Sequence, residues 1–407
     1  MQSDTVKTIV FSIIIFTLFL AALEIFFRVT HLFGARISWA EPDPLLGYKF
    51  TPGKTYWSFK ENDHPITGRI NSFGWRDDEW SIDKPDNVYR IAILGDSVVE
   101  AIEVEQDRTF MAVAGKKFNQ NSDGLKIEFL SFGRTSFTQT EELLVLKQMV
   151  EQFSPDMVMV LFLPLNDIQD VSKETTTDRL RPFFHVSETG ELILNTSFTQ
   201  TREFKLKRFI NWFKQHSALI SLMTERYNMF QNQRIMAAKG KATKDNDKPE
   251  NKPQEKEKIK KNKTVTKKAK DSQVLPKHLT LCTANPDLTY LENYRLNKIL
   301  LKTMVDFSRA KQYSFTLVTV DNQAYTPAVE NQFKSIDPTF DPNYFEDDLQ
   351  QFALSLGINY IGLQRVFRRA YEEKNKPFHW GHWNYEGHKV AGLYIAKRLR
   401  SIIADKQ

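Results

Sequence analysis

The chain has 407 residues, of which 41% are apolar and 26% charged, so it is long enough for one large globular domain with additional segments. Its net charge of +6 is concentrated in residues 239–271, where thirteen Lys face six acidic residues, so the rest of the chain is close to neutral. The single cysteine, Cys282, excludes an internal disulfide framework. No zinc-ligand spacing and no RNP-type aromatic strand occurs in the sequence, which argues against nucleic-acid binding.

The first predicted element is the apolar stretch 8–27, which has about the length that spans a bilayer. An uncleaved membrane anchor is favoured over a cleaved signal peptide, because no small-residue cleavage site follows around Glu24 to Arg28. The charges on the two sides of the stretch are balanced, so they do not indicate its orientation. Residues 1–36 are therefore interpreted as a transmembrane anchor with its flank.

The segment 37–89 is rich in Pro and Gly turn signals and in aromatic residues. This composition predicts short strands and loops that form an extension packed on the main domain. Arg76 and Asp77 lie within it. They are interpreted as a structural ion pair in preference to side chains that reach a functional site.

The rest of the chain alternates between predicted strands and predicted helices. The predicted strands are 91–94, 126–132, 157–163, 313–320 and 359–363, and the predicted helices are 107–120, 139–153, 288–311, 343–356 and a last one from near Tyr385. Such an alternation predicts an α/β fold, in which a parallel sheet is covered by helices on both faces.

Two segments interrupt this alternation. Residues 200–236 predict an amphipathic helical region with a basic polar side, interpreted as a cap helix packed on the domain in preference to a helix lying on a membrane. Residues 239–271 have too little apolar content to fold and predict a disordered insert. The main domain is therefore expected in two parts, 90–200 and 287–407, with the cap and the insert at 201–286.

Ser97 follows the apolar run 91–94 after only Gly95 and Asp96. Ligands bind at the carboxyl ends of the strands of a parallel sheet. A serine placed there can attack a carbonyl group once a base takes its proton. The alternative is a serine that only caps the following helix.

Three motifs occur in order and at domain-wide spacing: Gly95-Asp96-Ser97, Asn166-Asp167 and His382-x-Asn384-x-x-Gly387. In this combination they resemble the SGNH (GDSL-type) hydrolase family. The resemblance covers residues 90–171 and 290–400. It implies a flavodoxin-like α/β/α sandwich with a parallel sheet, here preceded by one transmembrane helix.

The resemblance implies roles for four residues. Ser97 would be the nucleophile and His382 the general base. The oxyanion hole would consist of the backbone N–H groups of Ser97 and Ser136 and the side chain of Asn166. The family has a glycine about where Ser136 falls, but a serine keeps the backbone N–H group.

The sequence departs from the family at the third member of the catalytic group. The family has an aspartate two or three residues before the histidine, where this chain has Trp380 and His379. We therefore expect a backbone carbonyl, or a carboxylate from elsewhere in the chain, to orient His382. His379 and His388 are alternative bases, and His388 is more typical of a structural role.

These observations predict a membrane-anchored serine esterase or O-acyltransferase that acts on acyl esters of cell-envelope glycans or lipids. Its catalytic domain is expected in the periplasm or outside the cell. Neither a cofactor nor a metal is predicted, because no carboxylate joins the three late histidines at ligand spacing. The alternative is a catalytically degenerate domain that serves as a binding module in an envelope assembly, which the missing aspartate favours. Protein partners are not indicated.

Overall fold

The structure is a computed structural model that describes residues 2–30, 32, 38–58, 61–62, 64–120, 124–227, 230 and 274–404. The described chain forms two compact units. One contains the described residues of 2–42 and 202–230, and the other those of 43–201 and 274–404. The predicted insert 239–271 lies outside the described residues.

The helices and strands are numbered in chain order. The strands are β1 (Ala40–Asp43), β2 (Gly47–Phe50), β3 (Thr55–Ser58), β4 (Ile66–Arg69), β5 (Val88–Gly95), β6 (Lys126–Gly133), β7 (Met157–Phe162), β8 (Phe183–Val186), β9 (Leu192–Asn195), β10 (Ser314–Thr319) and β11 (Asn359–Gly362). The helices are α1 (Gln2–Thr30), α2 (Ser97–Glu100), α3 (Phe110–Asn119), α4 (Gln139–Val145), α5 (Asn166–Asp170), α6 (Arg202–Lys214), α7 (described over 218–227), α8 (Leu288–Ala310), α9 (Pro327–Ile336), α10 (Tyr344–Ser355), α11 (Gln364–Lys374) and α12 (Tyr385–Ala404).

A sheet of five parallel strands forms the centre of the larger unit. Its spatial order is β11-β10-β7-β5-β6, and every neighbouring pair is parallel. Counted along the chain this order is 2-1-3-4-5, the flavodoxin-like order, so the predicted fold class is confirmed. The order reverses between β5 and β7, and the crevice at their carboxyl ends is where such sheets bind ligands.

Helices cover both faces of the sheet, because successive side chains of a strand point to opposite sides. Ile91 and Ile93 of β5 are fully buried in the cluster that includes α3 and α12. Ala92 and Leu94 are fully buried in the cluster that includes α4, α8 and α10. The strands β7 and β10 are buried at every residue, and strands buried on both faces are rich in apolar residues. All five predicted strands of the sheet are confirmed.

The structure differs from the predicted elements in three places. The helix predicted over 139–153 starts as α4 and continues in π and 3₁₀ turns. The helical region predicted from residue 200 is two helices, because the Ser217 hydroxyl accepts the N–H of Ile220 at 3.1 Å and so starts α7. The helices α9 and α11 and the β8–β9 hairpin were not predicted.

The extension from β2 to residue 80 surrounds the buried side chain of Arg134, which follows β6. The guanidinium carbon lies 4.1 Å from the ring centroid of Trp75 and 4.9 Å from that of Phe50. It donates at 3.1 Å to the backbone carbonyls of Tyr48 and Gly74. Burial lowers the pKa of Arg134 to about 10. Aromatic faces and carbonyl oxygens thus hold a buried cation and attach the extension to the sheet.

Arg76 and Asp77 have structural roles in this extension, but they bind separate partners. Arg76 Nε donates to the hydroxyl of Tyr56 at 2.8 Å. The Asp77 carboxyl group accepts the backbone N–H of Ser131 at 2.8 Å and the Gln106 amide at 2.6 Å. Burial raises the pKa of Asp77 to about 6. The two side chains therefore hold the extension in place, as the structural interpretation expects, without forming the expected ion pair.

The smaller unit is organised around α1. Its residues Asp4–Thr30 form a helix long and apolar enough to cross a membrane, a pattern that signal sequences share. Near its C-terminal end Glu24 accepts the Ser217 hydroxyl at 2.7 Å and the Ala218 N–H at 2.8 Å. The carboxylate thus binds N–H and O–H groups at the start of α7.

Gly133 lets the last residue of β6 lie directly against α2. A Cβ atom at this position would lie 2.5 Å from the Glu100 nitrogen and 2.6 Å from the Val99 carbonyl carbon. We expect Gly133→Ala to lower the free energy of unfolding in urea by about 1–3 kcal/mol, the usual cost of overpacking. In the control Gly115→Ala, the atom nearest to the added Cβ is a ring carbon of Phe129 at 4.0 Å. This change in α3 should raise the free energy of unfolding by about 0.5–1 kcal/mol, and equal effects of both changes would contradict the prediction.

Candidate active site

Ser97 lies at the carboxyl end of β5 as the first residue of α2, and only 2% of it is exposed. The cap of this helix is Asp96, whose carboxyl group accepts the N–H of Val98 at 2.9 Å. The alternative in which Ser97 itself caps the helix is therefore wrong. The Ser97 side chain instead lines a cavity at the switch point between β5 and β7.

The imidazole of His382 contacts Ser97 on one side and an acid on the other. Its Nε2 lies 2.9 Å from Ser97 Oγ, and its Nδ1 lies 2.8 Å from Glu61 Oε1. The other oxygen of Glu61 accepts the backbone N–H groups of His382 at 2.7 Å and Gly381 at 3.0 Å. In such a chain the carboxylate fixes the tautomer of the imidazole, and the imidazole can take the hydroxyl proton.

Glu61 is one of two acids beside His382 that sequence reasoning did not identify. It lies in the loop between β3 and β4, 321 residues before His382 in the sequence. The next residue, Asn62, donates to the Glu103 carbonyl at 3.3 Å and to the Tyr385 hydroxyl at 2.7 Å, which fixes the loop. No local motif marks Glu61, because the segments that it joins meet only in the folded chain.

A second carboxyl group, Glu103, lies 3.2 Å from Nδ1 of His382 and is 2% exposed. Burial would lower the pKa of His382, but the hydrogen bond with Glu61 and the charge of Glu103 raise it to about 9. Burial opposes ionisation of Glu61, yet its hydrogen bonds with His382 lower its pKa to about 2. Burial raises the pKa of Glu103 to about 7. Glu61 and His382 therefore form an ion pair at neutral pH.

Glu61, Glu103 and His382 could also hold a metal ion, since one ligand atom of each lies within 4.8 Å of the others. Carboxylate oxygens and imidazole nitrogens are common metal ligands. An ion bound at Nδ1 would displace the hydrogen bond to Glu61, so the two arrangements exclude each other. Sequence spacing did not reveal this group, because both acids come from segments far from the histidine.

Asn166 starts α5 at the carboxyl end of β7 and lines the same cavity as Ser97. Its amide donates to Asp96 Oδ2 at 2.7 Å. A side-chain amide has two N–H donors. Asn166 can therefore bind Asp96 and an oxyanion at the same time.

Ser136 lies in the turn after β6 with a φ of 65°, a region that favours glycine. A glycine would adopt this conformation without strain, and the serine of this chain keeps the same backbone N–H group. The preceding N–H, of Thr135, donates to Glu100 of α2, and the Thr135 carbonyl accepts the Tyr48 hydroxyl at 2.7 Å. Within the described chain, the residues that line the cavity include Asn166 but not Ser136.

The other two candidate bases are held elsewhere. His379 Nδ1 lies 3.0 Å from the Tyr325 hydroxyl, and its Nε2 lies 3.4 Å from Asp321. His388 accepts the N–H of Phe110 at 3.2 Å, and burial lowers its pKa to about 3. His382 is thus the histidine that the fold brings to Ser97.

The cavity beside Ser97 has a volume of about 650 Å³, within the range of small-molecule sites. Most of its wall is apolar and comes from the end of β7, from the segment before α8 and from α9. The apolar wall residues include Leu163, Pro164, Leu165, Pro276, Leu279, Val329 and Phe333. A site of this kind is suited to a ligand with a substantial apolar part.

No family model matches the sequence, and no curated protein is significantly similar to it. Solved structures with a similar course of the chain include the esterase EstA from Pseudoalteromonas sp., at 10% identity and a TM-score of 0.32 over 78% of this chain and 99% of that one. A catalytic mutant of the acetylxylan esterase Axe2 from Geobacillus stearothermophilus has 10% identity and a TM-score of 0.35, over 76% of this chain and 93% of the esterase. A GDSL-like lipase from Bacteroides thetaiotaomicron has 10% identity and a TM-score of 0.32, over 79% of this chain and 93% of the lipase. The fold assignment rests on the parallel strand order rather than on these similarities.

The ion pair predicts an unusual titration of His382. Its pKa is raised from 6.5 to about 9, so the ion pair stabilises the folded chain fully below pH 6.5, and this contribution is lost as the pH rises through about 9. We expect the imidazole NMR signals of His382 to titrate near pH 9, and at clearly lower pH in Glu61→Gln. His388 should stay neutral in both proteins. An unchanged titration in Glu61→Gln would contradict the ion pair.

Proposed function

We propose that the protein is a membrane-anchored serine esterase or O-acyltransferase, with Ser97 as the nucleophile and His382 as the general base. The observation that carries this proposal is the hydrogen-bonded chain from Glu61 through His382 to Ser97 at the ligand-binding end of the sheet. Glu61 acts through His382 and is therefore a positioning residue. The domain is proposed to face the periplasm or the cell exterior.

In the proposed reaction, neutral His382 takes the proton of Ser97 while Oγ attacks the carbonyl carbon of the ester. The imidazolium that forms is stabilised by Glu61 and gives its proton to the departing alkoxide, which leaves an acyl-serine. Water or an acceptor hydroxyl then attacks the acyl group, with His382 again taking the proton. The product acid or ester leaves, and the Ser97 hydroxyl is restored.

The negative charge that develops on the carbonyl oxygen requires hydrogen-bond donors. We propose the Ser97 N–H, the Ser136 N–H and the second N–H of the Asn166 amide for this role. Asn166 has the strongest support, because it shares the cavity with Ser97 and is fixed by its bond to Asp96. A bound ester would have to reach towards the turn at Ser136 to use all three donors.

A degenerate binding module is the alternative that the missing aspartate favoured. Glu61 supplies an acid at the same imidazole nitrogen from another part of the chain. This supports catalysis over binding alone.

The cavity supports a lipid-like ester as the substrate in preference to a glycan ester. Its wall is largely apolar, whereas a sugar would require many hydrogen-bonding groups. The polar groups that it does contain, such as Asn322 and Gln323, are suited to fix the orientation of the ester. A membrane anchor at α1 would keep the protein on a membrane, where esters with long apolar chains are abundant.

Removing the nucleophile should lower kcat much more than removing one oxyanion donor. With a short-chain p-nitrophenyl ester, we expect Ser97→Ala to lower kcat by at least about 10⁴-fold. Asn166→Ala should lower it by about 10²–10³-fold. The control Ser187→Ala changes a half-buried serine in the β8–β9 turn, outside the cavity lining, and should have no effect. Wild-type activity in Ser97→Ala, with the fold intact, would overturn the proposed function.

The apolar cavity predicts a dependence on acyl-chain length. A buried methylene contributes about 0.8 kcal/mol, so kcat/KM should rise about fourfold for each added methylene until the cavity is full. Val329→Asn puts an amide into the cavity wall and should flatten this dependence. The control Ala328→Asn, on the exposed side of α9, should keep it. A wild-type enzyme with no chain-length dependence would contradict the lipid-like substrate.

A further inference from the structure

The smaller unit carries an exposed apolar face on α6. Leu206 is 57% exposed, Phe209 65% and Trp212 59%. At 3.6 residues per turn they share the side of the helix that is opposite to the buried residues Phe204 and Asn211. Exposed clusters of large apolar side chains are typical of surfaces that bind a protein or a membrane.

The charges of α6 indicate which of these two occupants fits. The helix has five basic side chains and one acidic side chain. Arg202 and Lys205 lie on the same side of the helix as the exposed apolar residues. Arg208 borders that side next to Trp212, and Lys207 and Lys214 lie farther round the helix. An aromatic face between rows of Lys and Arg is typical of helices that lie in the interface of an anionic bilayer.

The end of α6 is attached to α1 at a defined level. Arg28 donates to the carbonyl of His216, two residues after α6, and Glu24 accepts the hydroxyl of Ser217 at 2.7 Å. The apolar stretch 8–27 spans about 30 Å as a helix, which is the thickness of the hydrocarbon core. Glu24 and Arg28 therefore lie where a spanning α1 leaves that core, and α6 ends at the same level.

We propose that α6 lies on the membrane surface, with its apolar face among the lipid headgroups and its basic side chains at the phosphates. The inference rests on the proposed membrane anchor at α1. Trp212 suits this position, because tryptophan is enriched at membrane interfaces. We favour this placement over a cap packed on the domain, because Leu206, Phe209 and Trp212 are exposed.

Site-directed spin labelling of the full chain tests this inference. The only native cysteine, Cys282, is 2% exposed, and burial raises the pKa of its thiol, so labels will react with introduced surface cysteines. Phe209→Cys reports on the apolar face. Lys207→Cys, about 160° away around the same helix, is the matched control.

The labelled proteins are reconstituted in vesicles of equal parts phosphatidylcholine and phosphatidylglycerol. Accessibility to oxygen, which is enriched in the bilayer, is compared with accessibility to a water-soluble nickel chelate. We expect the oxygen-to-chelate ratio at Phe209→Cys to be severalfold higher than at Lys207→Cys. Equal, water-like ratios at both positions would overturn the inference.

Washing the vesicles with alkaline carbonate tests the anchor separately. Retention of the protein together with water-like ratios overturns the placement of α6 alone. Release of the protein overturns the anchor and the inference with it. A label at Phe209→Cys that is shielded only when other membrane proteins are present would also overturn the inference, in favour of a protein partner.

A second measurement avoids changing Phe209. Lipids brominated near the headgroup should quench part of the tryptophan fluorescence of the wild type. Trp212→Phe should lose that quenched part, since Trp212 would be the residue in the interface. Identical quenching of both proteins would count against the inference.

Discussion

The ion pair between Glu61 and His382 is the interaction on which the candidate site depends. It joins the loop between β3 and β4 to the segment before α12, and the same carboxylate also binds two backbone N–H groups of that segment. The bond therefore fixes both the position and the tautomer of the imidazole. Without it, Ser97 and Glu103 would remain as the polar partners of the ring. The N-terminal extension is thus part of the site, because it supplies the acid that is hydrogen-bonded to Nδ1 of His382. Glu103 of the main domain lies 3.2 Å from the same nitrogen.

Buried carboxyl groups also lie around Asn166, the best supported of the proposed oxyanion donors. Asp167 accepts the Leu163 N–H at 2.7 Å and the Gln139 amide at 2.9 Å, and burial raises its pKa and that of Glu142 well above the usual range. Burial therefore disfavours the negative charge on these acids. Burial also raises the pKa of Asp96, the acceptor of the Asn166 amide. A reduced negative charge here matters, because full charges would oppose an oxyanion at the end of β5 and β7.

The sequence was sufficient to predict the strands of the sheet and the site residues Ser97, Asn166 and His382, but not the acid beside the histidine. All five parallel strands were predicted, β5, β7 and β10 from apolar runs. Ser97 and Asn166 each follow the end of such a run, and His382 lies shortly before the predicted last helix. The acid was different, because Glu61 lies in a loop whose place depends on contacts such as those of Asn62 with Tyr385. No periodicity or spacing encodes these contacts. The helices α9 and α11 were missed for a similar reason. Each is short, and its few apolar residues form a recognisable face only once the helix packs in the folded chain.

The raised pKa of His382 also bears on how such a site could be activated. At neutral pH the imidazole is protonated, and 30% of its side chain is exposed beside the cavity. An apolar ligand that fills the cavity removes water from this exposed part. Desolvation disfavours the charged imidazolium and lowers its pKa. Binding of a substrate with a large apolar part would thus shift His382 towards the neutral form that can accept the Ser97 proton, whereas a small ester would leave it hydrated and charged.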